Sequence, residues 1–349
     1  MTRSSRTLGK LTFLLVPAFC CGTAAAADSS DATTSAVNFT GPLLTPNPQN
    51  LPAGTWLVEP YLIHNSSNDA YNDQWDRYAK DEGTGQWLTI VPIFYGVTDR
   101  LQLQLTVGAA RSESAGSHTD GFGITDTTFT AQYMLVTPDK IQGIPAVSVR
   151  YSHQFPTGSY DRLGSNPLNG TGNGASTDTF SMLAQQYFWF PNGRPLRVRA
   201  AVSYTLPPSQ VALNGVSVYG TPQSFQGQAR LGNTFGVSVG AEYSIDPQWV
   251  LAFDVAYNRV YASQVQGVQN GPLFGMPCMS MPGVQCTQPA PPLTSFKLRN
   301  PTSKVVSLAP AIEYNFNDRI GVIGGVQFSE AGRNTDAFIT PQVAVNMVF

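Results

Sequence analysis

From residue 54 onward, apolar and polar residues alternate along the chain in segments of about ten residues, a pattern typical of strands rather than helices. The clearest segment covers residues 249–257. Trp249, Leu251, Phe253, Val255 and Tyr257 share one face, and small or polar residues occupy the other. About ten residues is the length that a tilted strand needs to cross a membrane. Aromatic residues at both ends of the apolar face are typical of membrane interfaces.

The other face of these segments is polar, with Gly, Ser, Thr, Gln or a charged residue at most positions. Residues 101–107, 147–155 and 235–243 repeat this arrangement. A soluble two-sheet sandwich, the rival fold, would bury its large apolar side chains between the sheets. A polar interior with an apolar exterior instead predicts an all-β fold, a transmembrane antiparallel β-barrel.

The alternation predicts about 12 strands and a regular difference between their connections. Short turns (96–100, 137–143, 191–195, 246–248 and 315–319) alternate with longer polar segments (65–85, 112–123, 156–177, 207–233, 262–302 and 330–336). Short periplasmic turns and long extracellular loops are typical of bacterial barrels, and an even strand number places both termini in the periplasm. The predicted strands are 55–64, 86–95, 101–111, 124–136, 145–155, 178–190, 196–206, 234–245, 249–261, 303–316, 319–329 and 337–349.

The N-terminal residues divide into two segments before the barrel, which we assign to residues 54–349. Arg3, Arg6 and Lys10 precede an apolar run, and small residues precede Asp28, so residues 1–27 are interpreted as a signal peptide. Residues 28–53 are rich in Thr, Asn and Pro, which disfavours a strand. This segment is either a periplasmic N-terminal tail or a plug that folds into the lumen.

Composition agrees with a chain that faces lipid. Only 12% of the residues are charged, against roughly a quarter in typical soluble domains. The formal net charge is −2, so the basic surface that nucleic-acid binding requires is missing and nucleic acid is excluded as a partner. Outer-membrane lipid is the expected surroundings of the barrel.

Two further features of the sequence are typical of an exported protein. Cys278 and Cys286 lie in a Pro- and Gly-rich segment and predict a loop disulfide, because a metal site would need more cysteine or histidine nearby. The last strand ends at Phe349, which resembles the insertion signal of bacterial outer-membrane barrels. We therefore expect the outer-membrane assembly machinery to be a partner.

Strand parity places several charged residues on the inner face. The mixed signs predict either ion pairs that fill the interior or a constriction that selects solutes. No cofactor and no metal site is predicted. The lumen-lining candidates are Glu59, Asp126, Arg150, Arg197, Arg199, Glu242, Asp254 and Glu313.

The sequence does not favour an enzyme. Of three histidines, His64 and His118 lie in or beside predicted loops, and only His153, next to Ser152, resembles part of a Ser/His set. Adjacent strand residues point to opposite faces, so these two residues cannot form a catalytic dyad. Catalytic residues are therefore not assigned.

Five motifs resemble one family. Residues 41–48 (GPLLTPNP), 51–61 (LPAGTWLVEPY), 95–103 (YGVTDRLQL), 121–133 (GFGITDTTFTAQY) and 155–158 (FPTG) are similar, in this order, to outer-membrane proteins associated with the meta-pathway of phenol degradation. The resemblance implies a bacterial outer-membrane barrel that helps to take up aromatic or other hydrophobic compounds. The segment 262–302 with its two cysteines departs from the family pattern.

Two functions follow as expectations. The first is an outer-membrane channel or transporter, porin-like, for passive uptake of a small hydrophobic solute. The alternative is a structural or adhesive surface barrel with a filled lumen and functional extracellular loops.

Four prolines fall inside predicted strands, where they indicate bulges or an opening in the barrel wall: Pro60, Pro92, Pro310 and Pro341.

Overall fold

The computed structural model describes residues 39–139, 143–208, 210–271 and 292–349. Within these ranges one short 3-10 helix, Pro167–Asn169, accompanies nineteen strands, and no helix there is long and apolar enough to cross a membrane. The strands are β1 (Trp56–Val58), β2 (Tyr61–Tyr71), β3 (Arg77–Thr98), β4 (Leu101–Ser114), β5 (Ser117–His118), β6 (Gly123–Ile124), β7 (Thr127–Val136), β8 (Ala146–Phe155), β9 (Thr177–Trp189), β10 (Pro195–Leu206), β11 (Val211–Asn214), β12 (Gln226–Arg230), β13 (Thr234–Ser244), β14 (Trp249–Val260), β15 (Ser263–Asn270), β16 (Leu293–Asn300), β17 (Ser303–Asn315), β18 (Ile320–Arg333) and β19 (Thr335–Val348).

Twelve of these strands close into an antiparallel barrel. Their order around the ring is β2, β3, β4, β7, β8, β9, β10, β13, β14, β17, β18 and β19, and β19 pairs with β2 to close it. β1 and β2 together form the first wall strand, which is interrupted at Glu59 and Pro60. β1 pairs with both β3 and β19. The predicted all-β barrel of twelve strands is confirmed.

The two ends of the barrel chain are joined by backbone hydrogen bonds. The Trp56 N–H donates to the Phe349 carbonyl (3.1 Å), and the Phe349 N–H donates to the Trp56 carbonyl (2.8 Å). The last residue therefore takes part in ring closure, which leaves no free sheet edge at that position.

Large apolar side chains cover the outside of the wall, as the alternation predicts. Leu251, Phe253 and Val255 of β14 are all more than two-fifths exposed, whereas Val250, Ala252 and Asp254 between them are buried. Aromatic pairs such as Trp56–Tyr95 and Trp249–Tyr314 (ring centroids 4.5 and 4.7 Å apart) mark the periplasmic ends of the strands. Such a girdle is expected at a membrane interface.

A second sheet, in the order β11, β12, β15, β16, extends the barrel wall on the extracellular side. This order repeats that of β10, β13, β14 and β17 directly below. The pairs Thr234–Val260 and Arg230–Gln264 fall in one register, so β12 and β15 continue β13 and β14.

The extracellular sheet was predicted as long polar loops. Its exposed residues lack the wide apolar face that makes membrane strands recognisable in a sequence. Gly227 and Gly267 also lie opposite each other in β12 and β15, a composition that suggests a loop. Glycine is needed there because a Cβ at Gly227 would lie 2.3 Å from the Gln266 carbonyl oxygen and 2.6 Å from the Phe225 ring.

Replacing Val255 with Arg would place a charge on the lipid face near the middle of the apolar band. We expect the free energy of unfolding in lipid vesicles to fall by about 2–4 kcal/mol, because charge is costly at the bilayer midplane. Ile320→Arg is the matched control: Ile320 is equally apolar and exposed but begins β18 at the periplasmic end. Its cost should be about 0–1 kcal/mol. Equal losses from the two variants, measured by urea titration, would contradict the placement of the band.

Candidate lumen site

Residues 39–51 lie inside the barrel, where their apolar side chains are removed from solvent. Phe39, Leu43, Leu44 and Leu51 are each 6% exposed or less. This stretch is part of the segment 28–53, and residues 1–38, including the predicted signal peptide, lie outside the described residues. The described part of the segment thus contacts the inner wall instead of extending away from it.

Asp254 on β14 bonds the middle of this segment. Its carboxylate accepts hydrogen bonds from the N–H groups of Leu44 (3.2 Å) and Thr45 (3.1 Å) and from the Thr45 hydroxyl (2.7 Å). Asp254 is fully buried, so these three donors supply the partners that a buried carboxylate requires. The contact explains why an acidic residue sits in the centre of an apolar strand.

Other inward-facing polar residues bond the rest of the segment. The Glu313 carboxylate accepts from the Thr40 N–H (2.7 Å), and the Gln102 side chain accepts from the Leu51 N–H (2.8 Å). The Gln132 amide donates to the carbonyls of Asn47 and Pro48 (both 3.1 Å), and the Ser148 hydroxyl also donates to that of Pro48. Backbone groups that no strand pairs are thereby satisfied by side chains from β4, β7, β8 and β17.

A buried charge cluster faces the start of the segment. Arg197 binds Glu242 through two hydrogen bonds of 2.6 and 2.5 Å, and the Arg199 Nε lies 3.4 Å from the same carboxylate. The Arg197 guanidinium also stacks over the Phe39 ring, 4.3 Å from its centroid. All three charged side chains are fully buried. Mutual pairing therefore offsets much of the cost of removing the charges from water.

The remaining predicted lumen residues, Glu59, Arg150 and Asp126, bond different parts of the chain. Glu59 is buried and accepts from the Asn346 amide (3.3 Å), and Arg150 donates to Gln132 (2.9 and 2.6 Å). Asp126, just before β7, accepts from the N–H groups of Gly158 and Asn173 (both 2.9 Å) and so holds an extracellular loop. Burial raises the pKa of the Asp126 carboxyl above its usual value, while these two N–H groups oppose the shift.

The interior also has an apolar patch that strand parity alone did not predict. Leu43 and Leu44 pack in one cluster with inward-facing Ile63, Ile90 and Ile323. Gly325 allows this approach, because a Cβ there would lie 2.7 Å from the Leu43 side chain and 2.5 Å from the Pro310 carbonyl oxygen. The apolar residues of the segment were visible in the sequence and could have indicated such a patch. Their packing partners are defined only by the folded barrel.

Next to this patch the wall has fewer ladder pairs. β17 does not pair with β18 at Ala309 and Pro310, and β19 does not pair with β2 at Thr340 and Pro341. Proline lacks the N–H that a ladder needs. By contrast, Pro60 lies in the break between β1 and β2, where its carbonyl accepts from the Val345 N–H (3.1 Å), and the Pro92 carbonyl accepts from the Glu59 N–H (3.0 Å).

One cluster on the outer face was missed from the sequence. The Ser176 hydroxyl lies 3.0 Å from His153 Nε2, and His153 Nδ1 lies 2.8 Å from the Asp178 carboxylate. Ser152, which the sequence excludes as a partner of His153, bonds Thr130 (2.8 Å) on the inner face. The missing signal is the register of β8 against β9, which places Asp178 directly opposite His153.

Metal binding has no candidate in the ranges that the structure covers: no group of three or more His, Cys, Asp or Glu residues there could hold an ion. Cys278 and Cys286, the predicted loop disulfide, lie outside the described residues.

Three solved structures illustrate the similarity of the fold. An outer-membrane channel from Pseudomonas putida F1 aligns with a TM-score of 0.61 at 14% identity, over 87% of this chain and 98% of its own. The translocator domain of the autotransporter NalP from Neisseria meningitidis aligns at 0.40 and 13% (84% and 88%), and the TodX deltaS2S3 mutant monoaromatic hydrocarbon channel at 0.37 and 9% (85% and 90%). The last two scores are too low to support more than a general likeness. No curated protein matches the chain.

A closed twelve-stranded barrel with an apolar outer belt and the fold of a known channel is a bacterial outer-membrane β-barrel. The family described as "Putative MetA-pathway of phenol degradation" matches residues 71–271, and the chain belongs to this family. The resemblance drawn from the five motifs is confirmed.

Replacing Glu242 with Gln would remove the countercharge of two fully buried arginines. Breaking a buried pair from one side costs about 3–5 kcal/mol, and we expect a loss of that size in the free energy of unfolding in vesicles. Glu330→Gln, at an exposed position of β18, is the control and should change it by about 0.5 kcal/mol or less. A similar small effect from both variants would mean that the two arginines do not need the charge of Glu242.

Proposed function

We propose that this protein is a passive channel or transporter for small hydrophobic or aromatic compounds across the outer membrane. Membership of a family described by phenol degradation supports an aromatic solute. The transport itself needs no catalysis, because a gradient maintained by consumption inside the cell is a sufficient driving force.

The observation that carries the proposal is the packing of residues 39–51 against the lumen wall. An occupied lumen disfavours a wide aqueous path, the route that polar solutes use in porins. The same segment brings Leu43 and Leu44 to an apolar patch of the wall. A hydrophobic solute that displaces these side chains exchanges one apolar contact for another, whereas a polar solute would lose its hydration.

The route we propose leads from this patch towards the lipid between β17 and β18. The unpaired positions Ala309 and Pro310, between β17 and β18, lower the number of hydrogen bonds that an opening there must break. Gly325, beside Leu43, has no side chain, so at this position the wall consists of backbone alone. Residues 39–51 then act as a plug whose displacement opens the route, and the lumen charges hold it in place.

The alternative function, a structural or adhesive surface barrel, is favoured by one observation. The extracellular sheet has an apolar cluster of its own, in which Val211, Leu213, Phe225 and Val265 are buried. Loops that only gather solute do not require such a core. Deleting the gene should abolish surface adhesion and leave hydrophobic uptake intact if this alternative is correct.

Uptake of radiolabelled toluene by cells tests transport directly. We expect the initial rate to fall at least several-fold when the gene is deleted, and to return when the intact protein is restored. The same rate in deleted and restored cells would refute the proposal.

Asp254→Ala tests the plug. Loss of three hydrogen bonds to Leu44 and Thr45 should loosen the segment and raise the rate of toluene uptake above that of the intact protein. Asp336→Ala is the matched control, since Asp336 is a buried acid bonded to Lys80 (3.2 Å) and does not contact residues 39–51. An equal change in both variants would indicate a general loss of barrel stability.

A further inference from the structure

The outer face of β8 and β9 carries a serine, a histidine and an aspartate in the spatial arrangement of a hydrolytic triad. Ser176 immediately precedes β9, Asp178 is its second residue, and His153 lies opposite Asp178 on β8. Residues two apart on a strand share a face, and directly opposed residues do so too. The register therefore places a nucleophile, a base and a carboxylate side by side.

The distances suit proton transfer along the three side chains. His153 Nε2 is 3.0 Å from the Ser176 hydroxyl, and His153 Nδ1 is 2.8 Å from the Asp178 carboxylate. The Tyr151 hydroxyl donates a second bond to Asp178 (2.7 Å), and the His153 ring packs edge-on against Phe155, with centroids 4.6 Å apart. These contacts hold the imidazole between its two partners, as catalysis by a histidine base requires.

The surroundings of the triad are apolar and open to a ligand. Ser176 is exposed, and Tyr151, Phe155 and Phe180 are 38–53% exposed around it. Because the wall passes from the membrane into the loop 156–176 at this level, the triad lies at the border between lipid and the outside. The ladder of β8 and β9 ends at the pair Gln154–Thr177, so the Ser176 N–H is outside it and available to a developing oxyanion.

We propose that Ser176 and His153 hydrolyse carboxylic esters at the outer surface of the barrel, with Asp178 as a positioning residue. The Ser176 Oγ attacks the ester carbonyl carbon while His153 Nε2 accepts the hydroxyl proton. Collapse of the tetrahedral intermediate breaks the acyl C–O bond, and His153 returns the proton to the departing alcohol. Water, deprotonated by His153, then attacks the acyl-serine carbonyl carbon; the bond to Ser176 Oγ breaks, His153 returns the proton to this oxygen, and the carboxylic acid is released.

The substrate is an acyl ester, either of a membrane glycerolipid or of a soluble compound that collects at the apolar rim. The activity is separate from transport, because the triad faces outward and shares no residue with the lumen site. Failure of one proposal leaves the other standing.

The test uses the intact purified protein in detergent. A fluorophosphonate probe, which labels activated serines, should modify Ser176, as located by mass spectrometry of peptides. Hydrolysis is followed with p-nitrophenyl butyrate as the soluble ester and with phosphatidylethanolamine in mixed micelles as the lipid ester. A higher rate on the lipid assigns the membrane source, and a higher rate on the soluble ester assigns the other.

Ser176→Ala should abolish labelling and lower kcat/KM by about 100-fold or more. Ser152→Ala is the matched control, because Ser152 is adjacent to His153 but bonds Thr130 on the inner face, and it should leave both readouts unchanged. Asp178→Asn should lower kcat on the order of 100-fold with little change in KM, and Asp178→Glu should restore part of it. A folded, heat-modifiable protein with no label on Ser176, or with equal hydrolysis in Ser176→Ala, would overturn the proposal.

Discussion

The structure depends on one constraint: inside lipid, every backbone N–H and C=O must find a partner within the protein. The twelve strands meet it by closing their ladder, and the last pairing joins β19 to β1 and β2. Closure ties Phe349 to Trp56 by two backbone hydrogen bonds. It also explains the inverted pattern of the chain, because a closed wall in lipid must be apolar outside and is free to be polar inside.

The polar interior creates a second requirement, since buried charges need partners. Arg197 and Glu242 pair with each other, whereas Asp254 and Glu313 accept hydrogen bonds from backbone N–H groups of the N-terminal segment. The segment, which no strand pairs, obtains its hydrogen bonds from the same contacts. Wall and segment therefore stabilise each other, and a solute that enters must compete with these contacts. The apolar part of the wall near Gly325 and Pro310 is where such competition costs least.

The barrel could be predicted from the sequence because lipid imposes a period of two on every wall strand. β14 shows this best, with Trp249 to Tyr257 alternating throughout. The extracellular sheet could not, since β12 and β15 (QGQAR and SQVQGVQN) are solvated on one face and carry glycine where a side chain would clash. Inner-face charges such as Arg197, Glu242 and Asp254 followed from parity. Their partners did not, because contacts such as that of Asp254 with Thr45 join residues 209 positions apart. The cluster of Ser176, His153 and Asp178 could not be predicted for the same reason, because Ser176 and His153 meet only through the register of β8 and β9.

We infer that residues 39–51 close the lumen of an otherwise complete barrel. Conductance in a planar lipid bilayer tests it most directly, with the intact mature protein compared with a chain that lacks residues 28–53. We expect little or no steady conductance from the intact protein and discrete open steps from the shortened one. A steady open conductance from the intact protein would contradict it, because water and ions would then pass a segment that we describe as a plug.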